Sequence, residues 1–472
     1  APSRLLLRGA HHDFLYGHRD GHDLATALDD MQRFDALARY TQEDWARVLR
    51  RYLVDNARLV VVGRPSAALA QQLQHETQAR VAARRSELGE AGTQALEQAL
   101  TDARRANDAP FPPQVLKDFA VPSSDTIQWI SVATAHSGPD APPESLGELS
   151  AEDAQLHAHV QADGEPLPFV IQFDQIPSQF VLISAVLSTE AVPTELRPYL
   201  TLYLAMLFSP PGQRADGTRL SYEQVVQQLE DDVLDYDAAI GVGSSFNENL
   251  AVELKVPASR YVQAVGWMRD LLWGADFSLE RVRVSAAKLA QSLPEQKRDG
   301  RMVSWALLRS LLYVPGRSAC EANSVLSQIQ HVREITDALQ HTPEQVLANL
   351  ERVREALLRP EHMRFSVAGD ILRLPAPRVP WRTVLPSVPA PRALRPLPWA
   401  SDVVNALGAR PARAARLCTV PAIESSYAVV TARGLTGYTD PDYAPLVVTL
   451  TILNAMESFL WRYIRGAGLA YG

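Results

Sequence analysis

The sequence predicts an α+β fold, with antiparallel sheets that carry helices packed on one face. Two apolar runs that end in glycine, Arg58–Gly63 and Arg364–Gly369, each follow a helical pattern and read as short buried strands. Other stretches alternate apolar and polar residues and then run into long apolar helices. The 472 residues are 46% hydrophobic, which suffices for about three domains at roughly 150 residues each.

Residues 1–65 are predicted to form the end of one such domain. Asp23–Tyr40 places leucines and a methionine at helical spacing. Thr41, followed three residues later by Asp44, predicts a capping box at the start of a second helix. The run Arg58–Gly63 then predicts a buried strand.

Residues 66–122 are rich in Ala, Gln, Glu and Arg and contain few β-branched residues. Glycines occur at the centre, in the run Gly89-Glu-Ala-Gly92. This composition predicts a helical hairpin, polar on most of its faces, that links two larger bodies.

Residues 123–371 are predicted to form a complete domain. Its strands are expected in IQWISVATA from Ile127, in PFVIQF, QFVLISAVL, DAAIGVGSSF and AVELKV, and in the run that closes at Gly369. The segment ELRPYLTLYLAMLF predicts a long apolar helix, and Thr342-Pro343 predicts the start of another.

Prolines recur through residues 372–400, which predicts an extended linker. Residues 401–472 are then predicted to begin a further domain, with a strand in SSYAVVTA and a helix from about Tyr443 to Arg465. The strand-to-helix joints of this segment and of residues 180–207 match in pattern, as do the two glycine-ended runs, so the domains are interpreted as repeats.

Composition excludes several classes of function. A net charge of -8 and a pI near 5.8 provide no basic surface for nucleic acid. No apolar run reaches the length of a membrane span. The two cysteines, Cys320 and Cys418, are interpreted as buried thiols in a reducing compartment, so cytoplasm or mitochondrial matrix is the expected location.

The segment IRGAGLAYG, from Ile464 to Gly472, is a helix end followed by a glycine-rich turn. Arg465 in a last helical turn and a left-handed glycine at Gly466 or Gly468 would be typical of an ordinary helix C-terminus. The same segment also resembles the Arg/Tyr substrate-binding motif of the pitrilysin, insulin-degrading enzyme and presequence protease family of zinc metallopeptidases.

Further stretches resemble that family, so that the similarity covers nearly the whole chain. They are DFLYGHRDGHDLATAL, VVVGRPSAALA, LPFVIQFDQIPSQFVLISAVLSTEAVPTELRPYLTLYL and DGTRLSYEQVVQQL. The resemblance implies repeated pitrilysin-type domains in two halves, which close like a clamshell around unfolded peptides. It assigns residues 1–65 to the end of the second peptidase-like domain, residues 123–371 to the third and residues 401–472 to the start of the fourth.

In such enzymes zinc polarises the peptide carbonyl and activates water, and donors from the other half hold the substrate backbone. The resemblance gives this substrate-binding role to Arg465, Gly468 and Tyr471. A guanidinium can form two parallel hydrogen bonds, a phenol can donate one more, and glycine lets two backbones approach each other.

The inverted zinc motif His-x-x-Glu-His is absent from this sequence. We therefore expect no catalytic or zinc-binding residue here, with zinc held by a separate N-terminal catalytic domain, and no peptidase activity from this chain alone. The chain also reads as cut within a domain at Gly472. The histidines His11, His12, His18 and His22 are interpreted as a solvated loop rather than a metal site.

Three weaker candidates are given structural interpretations. Gly241-Val-Gly243 lacks the remaining glycine of a dinucleotide-binding turn and is interpreted as a strand bend. The carboxylates of Glu230, Asp231 and Asp232 are interpreted as a solvated helix end, and Arg410–Arg416 as an exposed basic run.

Two alternatives to a peptidase role remain open. A non-catalytic homologue could use the same fold for scaffolding or assembly, as core subunits of respiratory complexes do. A peptide-binding fragment, stable by itself, would bind peptides without cleaving them.

Overall fold

The structure is a computed structural model. It describes residues 2–110, 112–117, 123–127, 131–139, 150–165, 167–242, 246–385, 393–410, 413–435, 437 and 439–471. The chain divides into two compact units, Ala1–Thr126 and Ile127–Gly472.

The first unit is helical in its described part. Its helices are α1 Pro2–Tyr16, α2 His22–Leu28, α3 Asp30–Ala38, α4 Gln42–Leu49, α5 Ala67–Asn107 and α6 Pro113–Lys117. The capping box predicted at α4 is present, since the Thr41 side chain and the Asp44 side chain each accept a hydrogen bond from the other residue's backbone N–H. The helix predicted over Asp23–Tyr40 is interrupted, because the backbone at Asp29 leaves helical dihedrals (φ -104, ψ 67) and separates α2 from α3.

The buried strand predicted at Arg58–Gly63 is wrong for this structure. These residues form no regular element, and the side chains of Leu59 and Val61 are 91% and 84% exposed. No strand lies beside them among the described residues of this unit. A single strand leaves its N–H and C=O groups without partners, so an apolar run alone does not form one.

The predicted helical hairpin is represented by α5, which leaves helical dihedrals at Gly89 (φ 57, ψ -170). This conformation is open to glycine and strained for other residues. The two helical stretches on either side of Gly89 bury none of their described residues, in agreement with the polar composition of the segment.

The second unit contains all the described strands. They are β1 Ala133–Ser137, β2 Val170–Gln175, β3 Phe180–Ser188, β4 Gly212–Gln213, β5 Arg219–Leu220, β6 Asp235–Val242, β7 Phe246–Pro257 and β8 Met363–Gly369. Its helices are α7 Ala151–Ala162, α8 Leu200–Met206, α9 Tyr222–Asp232, α10 Tyr261–Leu272, α11 Leu279–Gln296, α12 Gly300–Leu312, α13 Ala319–Ala322, α14 Val325–His341, α15 Pro343–Leu357, α16 Ala406–Ala409 and α17 Tyr443–Asn454.

Six of the strands form one sheet in the order β1-β2-β8-β3-β7-β6, and β4 pairs with β5. The α+β class is confirmed. The six-stranded sheet is antiparallel except for one pair, because β8 lies parallel to β2. Parallel neighbours need a long crossover, and here helices α8 to α15 lie between the two strands in sequence. Residues 128–130 of the strand predicted from Ile127 lie outside the described part of the chain.

The two faces of this sheet differ in chemistry, as the period-two pattern requires. One face carries a row of apolar side chains that are buried in the core with the helices: Ala135, Phe173, Val367, Ile183 and Leu254. The residues one step along each strand form a polar row on the opposite face: His136, Gln172, Ser366, Ser184 and Glu253. Helices therefore cover one face, as predicted.

Residues 372–385, the first part of the predicted linker, pack against this core. Trp381 is fully buried, and its Nε1 donates to the hydroxyl of Tyr261 on α10 at 2.7 Å. Arg378 is 1% exposed and donates to the carbonyl of Gln161 at 2.9 Å. The segment forms a short 3₁₀ helix, Val379–Thr383, with proline in its first turn, and it is fastened to the domain, so the predicted extended linker is wrong for these residues. Residues 386–392 lie outside the described part.

The last segment departs from prediction in two places. Residues 425–432 were expected to form a strand and have no regular structure. The helix predicted to reach Arg465 ends at Asn454, and Glu457 adopts a left-handed backbone (φ 62). None of the residues of α17 is buried. Since neither predicted strand of the outer segments forms, the described residues contain one copy of the sheet and the predicted repeat is not seen in them.

Candidate functional site

The predicted substrate-binding residues lie in a tight turn. A π-helical turn, Trp461–Gly466, is followed by Gly468 in a left-handed conformation (φ 69), as predicted for one of the two glycines. The N–H of Gly468 donates to the carbonyl of Arg465 at 3.0 Å, and the N–H of Leu469 donates to the carbonyl of Ile464 at 2.9 Å. These bonds reverse the chain after Arg465.

The reversal brings the two predicted side chains together. The guanidinium carbon of Arg465 lies 4.5 Å from the centre of the Tyr471 ring. The tyrosine is 83% exposed. A cation–π contact of this exposed kind contributes about 0.5–1 kcal/mol, so it can orient the pair and can also yield to a competing ligand.

The hydrogen-bonding groups of this pair are free for a ligand. Within the described chain, neither the Arg465 guanidinium nor the Tyr471 hydroxyl has a hydrogen-bond partner. An Ala side chain at Gly468 would meet no atom within 4 Å, but the positive φ would strain it. The turn therefore presents a cation, a phenol and an approachable backbone to solvent.

No group of three or more metal-ligating side chains occurs among the residues that the structure describes. Of the four clustered histidines, His11 and His12 lie on α1, and His18 pairs with Asp23 through Nδ1 and Oδ2 at 2.6 Å. Hydrogen bonds from His18 lower the pKa of the Asp23 carboxyl. His18 is thus paired with a carboxylate within a local turn.

The carboxylate of Asp232 has a structural role beyond a solvated helix end. It accepts a hydrogen bond from Nε1 of Trp267 at 2.9 Å and pairs with Arg260 at 3.3 Å. Together these contacts fasten the end of α9 to α10.

The strand bend predicted at Gly241 is confirmed as a break in register between Ile240 and Val242, where Gly241 has a φ of 112. Gly243 lies outside the described residues. In the basic run, Arg416 donates to the hydroxyl of Ser310 at 2.6 Å, and residues 411 and 412 are not described.

The two thiols differ from each other. Cys320 is partly buried, and burial raises the pKa of its thiol. Cys418 is exposed, so the prediction that both thiols are buried is wrong for this residue. Cys418 belongs to a segment without regular structure, where an apolar side chain has no core to enter.

A cleft of about 710 Å³ was not predicted from the sequence. It lies between α12 and residues 414–431 of the second unit, and Ser304, Leu307 and Tyr427 are among its lining residues. None of the residues of the Arg465–Tyr471 turn lines this cleft. Sequence patterns could not indicate it, because one wall has no regular structure.

Comparison with known proteins finds relatives but no assigned function. No family model matches the chain. An uncharacterized protein of Schizosaccharomyces pombe is 27% identical over 482 residues, which covers 100% of this chain and 46% of that protein. Uncharacterized proteins of Saccharomyces cerevisiae and Caenorhabditis elegans are 28% and 26% identical, covering 98% and 91% of this chain and 45% and 41% of their own lengths. The chain thus spans less than half the length of these relatives.

Two solved structures match parts of this chain at low similarity. A peptidase M16 inactive domain from Pseudomonas fluorescens has a TM-score of 0.35 and 15% identity, covering 50% of this chain and 52% of its own. A conserved protein from Enterococcus faecalis has a TM-score of 0.31 and 13% identity, covering 44% and 50%. In the described part of the chain, no helix is both long and apolar enough to cross a membrane.

Proposed function

We propose that this chain is the substrate-binding portion of a longer zinc-dependent metalloendopeptidase that degrades unfolded peptides in a closed chamber. Arg465 and Tyr471 would hold the peptide backbone, and Gly468 would let that backbone approach. Zinc and its ligands would come from a catalytic domain outside this sequence. By itself this chain would not cleave peptides.

The observation that carries the proposal is the turn that places Arg465 over Tyr471 with both hydrogen-bonding groups free. Peptide carbonyls are hydrogen-bond acceptors, and a guanidinium and a phenol supply donors that remain protonated at neutral pH. The motif resemblance of IRGAGLAYG and the greater length of the relatives fit a chain that works together with further domains.

A scaffolding role is the second candidate. It is supported by the exposed apolar helix α17, which has no buried residue. In that case the longer protein would use its surfaces for assembly, and the Arg465–Tyr471 turn would be only a helix end.

The test compares the full-length gene product with this chain. Zinc content is measured by atomic absorption, and cleavage of an unfolded fluorogenic peptide is followed with and without a chelator. The proposal expects stoichiometric zinc and chelator-sensitive cleavage in the full-length protein and neither in this chain. If the full-length protein has neither stoichiometric zinc nor chelator-sensitive cleavage, the peptidase proposal is wrong and the scaffolding role replaces it.

A further inference from the structure

A cavity of about 170 Å³ lies within the second unit, remote in sequence from the Arg465–Tyr471 turn. Its walls come from the end of β3, the start of β7, the loop before α13, and residues 396–403. Five charged side chains line it: Glu190, Arg197, Glu248, Arg317 and Asp402. No two of these five described residues form an ion pair within 4.0 Å.

Arg197 is the most unusual of the five. Its residue is only 9% exposed, yet its side chain makes a single hydrogen bond within the described chain, from Nε to the carbonyl of Val192 at 3.2 Å. A guanidinium has five N–H donors, so most donors of Arg197 have no partner among the described residues, and none of its nitrogens is both fully buried and unpaired. Burial lowers the pKa of Arg197, but arginine keeps its charge at neutral pH. The two terminal nitrogens are therefore available to a ligand in the cavity.

The three carboxylates differ in their hydrogen bonds. Both oxygens of one accept hydrogen bonds from the protein, and the other two can accept further bonds. Glu248 is 1% exposed, and its two oxygens accept from the Ser318 hydroxyl and from the N–H of Ala319. It helps to hold the start of α13. Asp402 accepts one hydrogen bond, from the N–H of Trp399, and the carboxylate of Glu190 has no hydrogen-bond partner among the described residues.

Charge and size together restrict the ligand. Two arginines favour a carboxylate, but a simple anion would also meet three carboxylates of the same sign. A molecule with one positive and one negative group can pair with the carboxylates and with the arginines. The volume of about 170 Å³ limits the ligand to a small molecule.

We propose that this cavity binds a small free amino acid as its zwitterion. The α-carboxylate would accept hydrogen bonds from Arg197 and Arg317, and the α-ammonium would donate to Glu190 and Asp402. The site is independent of the proposed peptidase function, since it contains none of the residues assigned to peptide binding.

The test measures binding to this chain by isothermal titration calorimetry, with L-alanine, acetate and methylammonium as separate probes. We expect millimolar or tighter binding of alanine, and at least tenfold weaker binding of each single-charge probe. Arg317→Ala and Glu190→Gln change exposed side chains, so both should fold, and each should weaken alanine binding at least tenfold. Arg197→Lys should weaken it too, because an ammonium cannot form the paired hydrogen bonds.

The matched control is Arg333→Ala, which removes an exposed arginine of α14 that does not line the cavity. It should bind alanine like the unmodified chain. Absence of alanine binding to the unmodified, folded chain would overturn the proposal. Acetate binding as tight as that of alanine would reduce the cavity to a simple carboxylate site, and unchanged affinity in both Arg317→Ala and Glu190→Gln would place the ligand elsewhere.

Discussion

At the scale of single residues, Arg465 and Tyr471 hold each other in a defined arrangement without using their hydrogen-bonding groups. The guanidinium carbon lies 4.5 Å from the centre of the Tyr471 ring. A cation–π contact of this exposed kind is weak enough to rearrange around a bound peptide backbone.

In the full-length protein, Arg465→Ala or Tyr471→Phe should reduce peptide hydrolysis at least about tenfold, because one transition-state donor typically contributes roughly 10² to 10³ in rate. The measurement is kcat/KM with an unfolded fluorogenic peptide. Arg462→Ala removes an exposed arginine from the same turn and is the control, expected to retain activity. If the Arg465 and Tyr471 variants hydrolyse the peptide as fast as the control, these two residues do not bind the substrate.

Arg378 illustrates a different use of arginine. It is 1% exposed and donates to the carbonyl of Gln161 and to the Ser137 hydroxyl at 3.2 Å, which fastens the segment after β8 to α7 and β1. Arg378→Ala should lower the free energy of unfolding by about 3 kcal/mol, because buried acceptors lose a charged donor. Urea denaturation measures this change.

The control for Arg378 is Arg373→Ala. Arg373 pairs with Asp370 at 3.0 Å, but its side chain is 83% exposed. Its removal should cost less than about 1 kcal/mol. Similar losses in the two variants would mean that residues 372–385 are not fastened by Arg378.

His331 predicts a dependence of stability on pH. Burial lowers the pKa of His331 below 6.5, while Glu334 acts in the opposite direction. The fold therefore favours the neutral imidazole, and its contribution to stability is complete above about pH 6.5 and is lost as pH falls from there through the lowered pKa. His331→Phe keeps an aromatic ring against Tyr199, which lies 4.8 Å away, but cannot take up a proton.

Unfolding free energies at about pH 7.5 and about pH 5.5 should differ less in His331→Phe than in the unmodified chain. His341→Gln, at the exposed end of the same helix, is the control and should preserve the difference. An unchanged difference in His331→Phe would assign the acid sensitivity to other groups such as His362, whose pKa is also lowered by burial.

At the scale of elements, α5 depends on one glycine for its shape. Gly89 has dihedrals that an L-residue rarely adopts, and removing this freedom should favour an uninterrupted helix. In Gly89→Ala, spin labels at residues 74 and 103 should move toward the roughly 44 Å of a straight helix, since each residue adds about 1.5 Å. Double electron–electron resonance measures this distance.

Gly92→Ala is the matched control for this change. Gly92 has no positive φ and lies in a helical stretch, so alanine there should leave the distance between the labels unchanged. Equal distances in the unmodified chain and in Gly89→Ala would show that the break is not maintained by the glycine.

At the scale of the whole molecule, the two units differ in their cores. Described apolar residues between Ala133 and Leu385 form one large buried cluster, whereas in residues 6–110 Gly9 is the one described position that is buried. Hydrogen exchange of the intact chain should therefore show slow amides in β3, β7 and β8 and fast exchange through α1 to α5. Mass spectrometry resolves the two regions, and comparable protection in both would contradict the difference in packing.

Features that depend on neighbours along the chain could be predicted from the sequence. Capping at Thr41, the break at Gly89, the proline start of α15 and the left-handed Gly468 all follow from local backbone chemistry. The strands of the six-stranded sheet were also predicted, because their alternation reflects a sheet with one buried face, whereas the short strands β4 and β5 were not. The class of fold follows from these elements together.

Contacts between residues distant in sequence determine which apolar runs become strands and which charged side chains lie together. Arg58–Gly63 and Arg364–Gly369 have the same pattern, but only the second has β2 and β3 beside it to pair its backbone groups. Trp381 and Tyr261, whose hydrogen bond fastens residues 372–385, are 120 positions apart in sequence. Arg197 and Asp402, which line the same cavity, are about two hundred apart. Hydrogen bonding between strands and electrostatic contact act through space, so a local pattern carries no record of them.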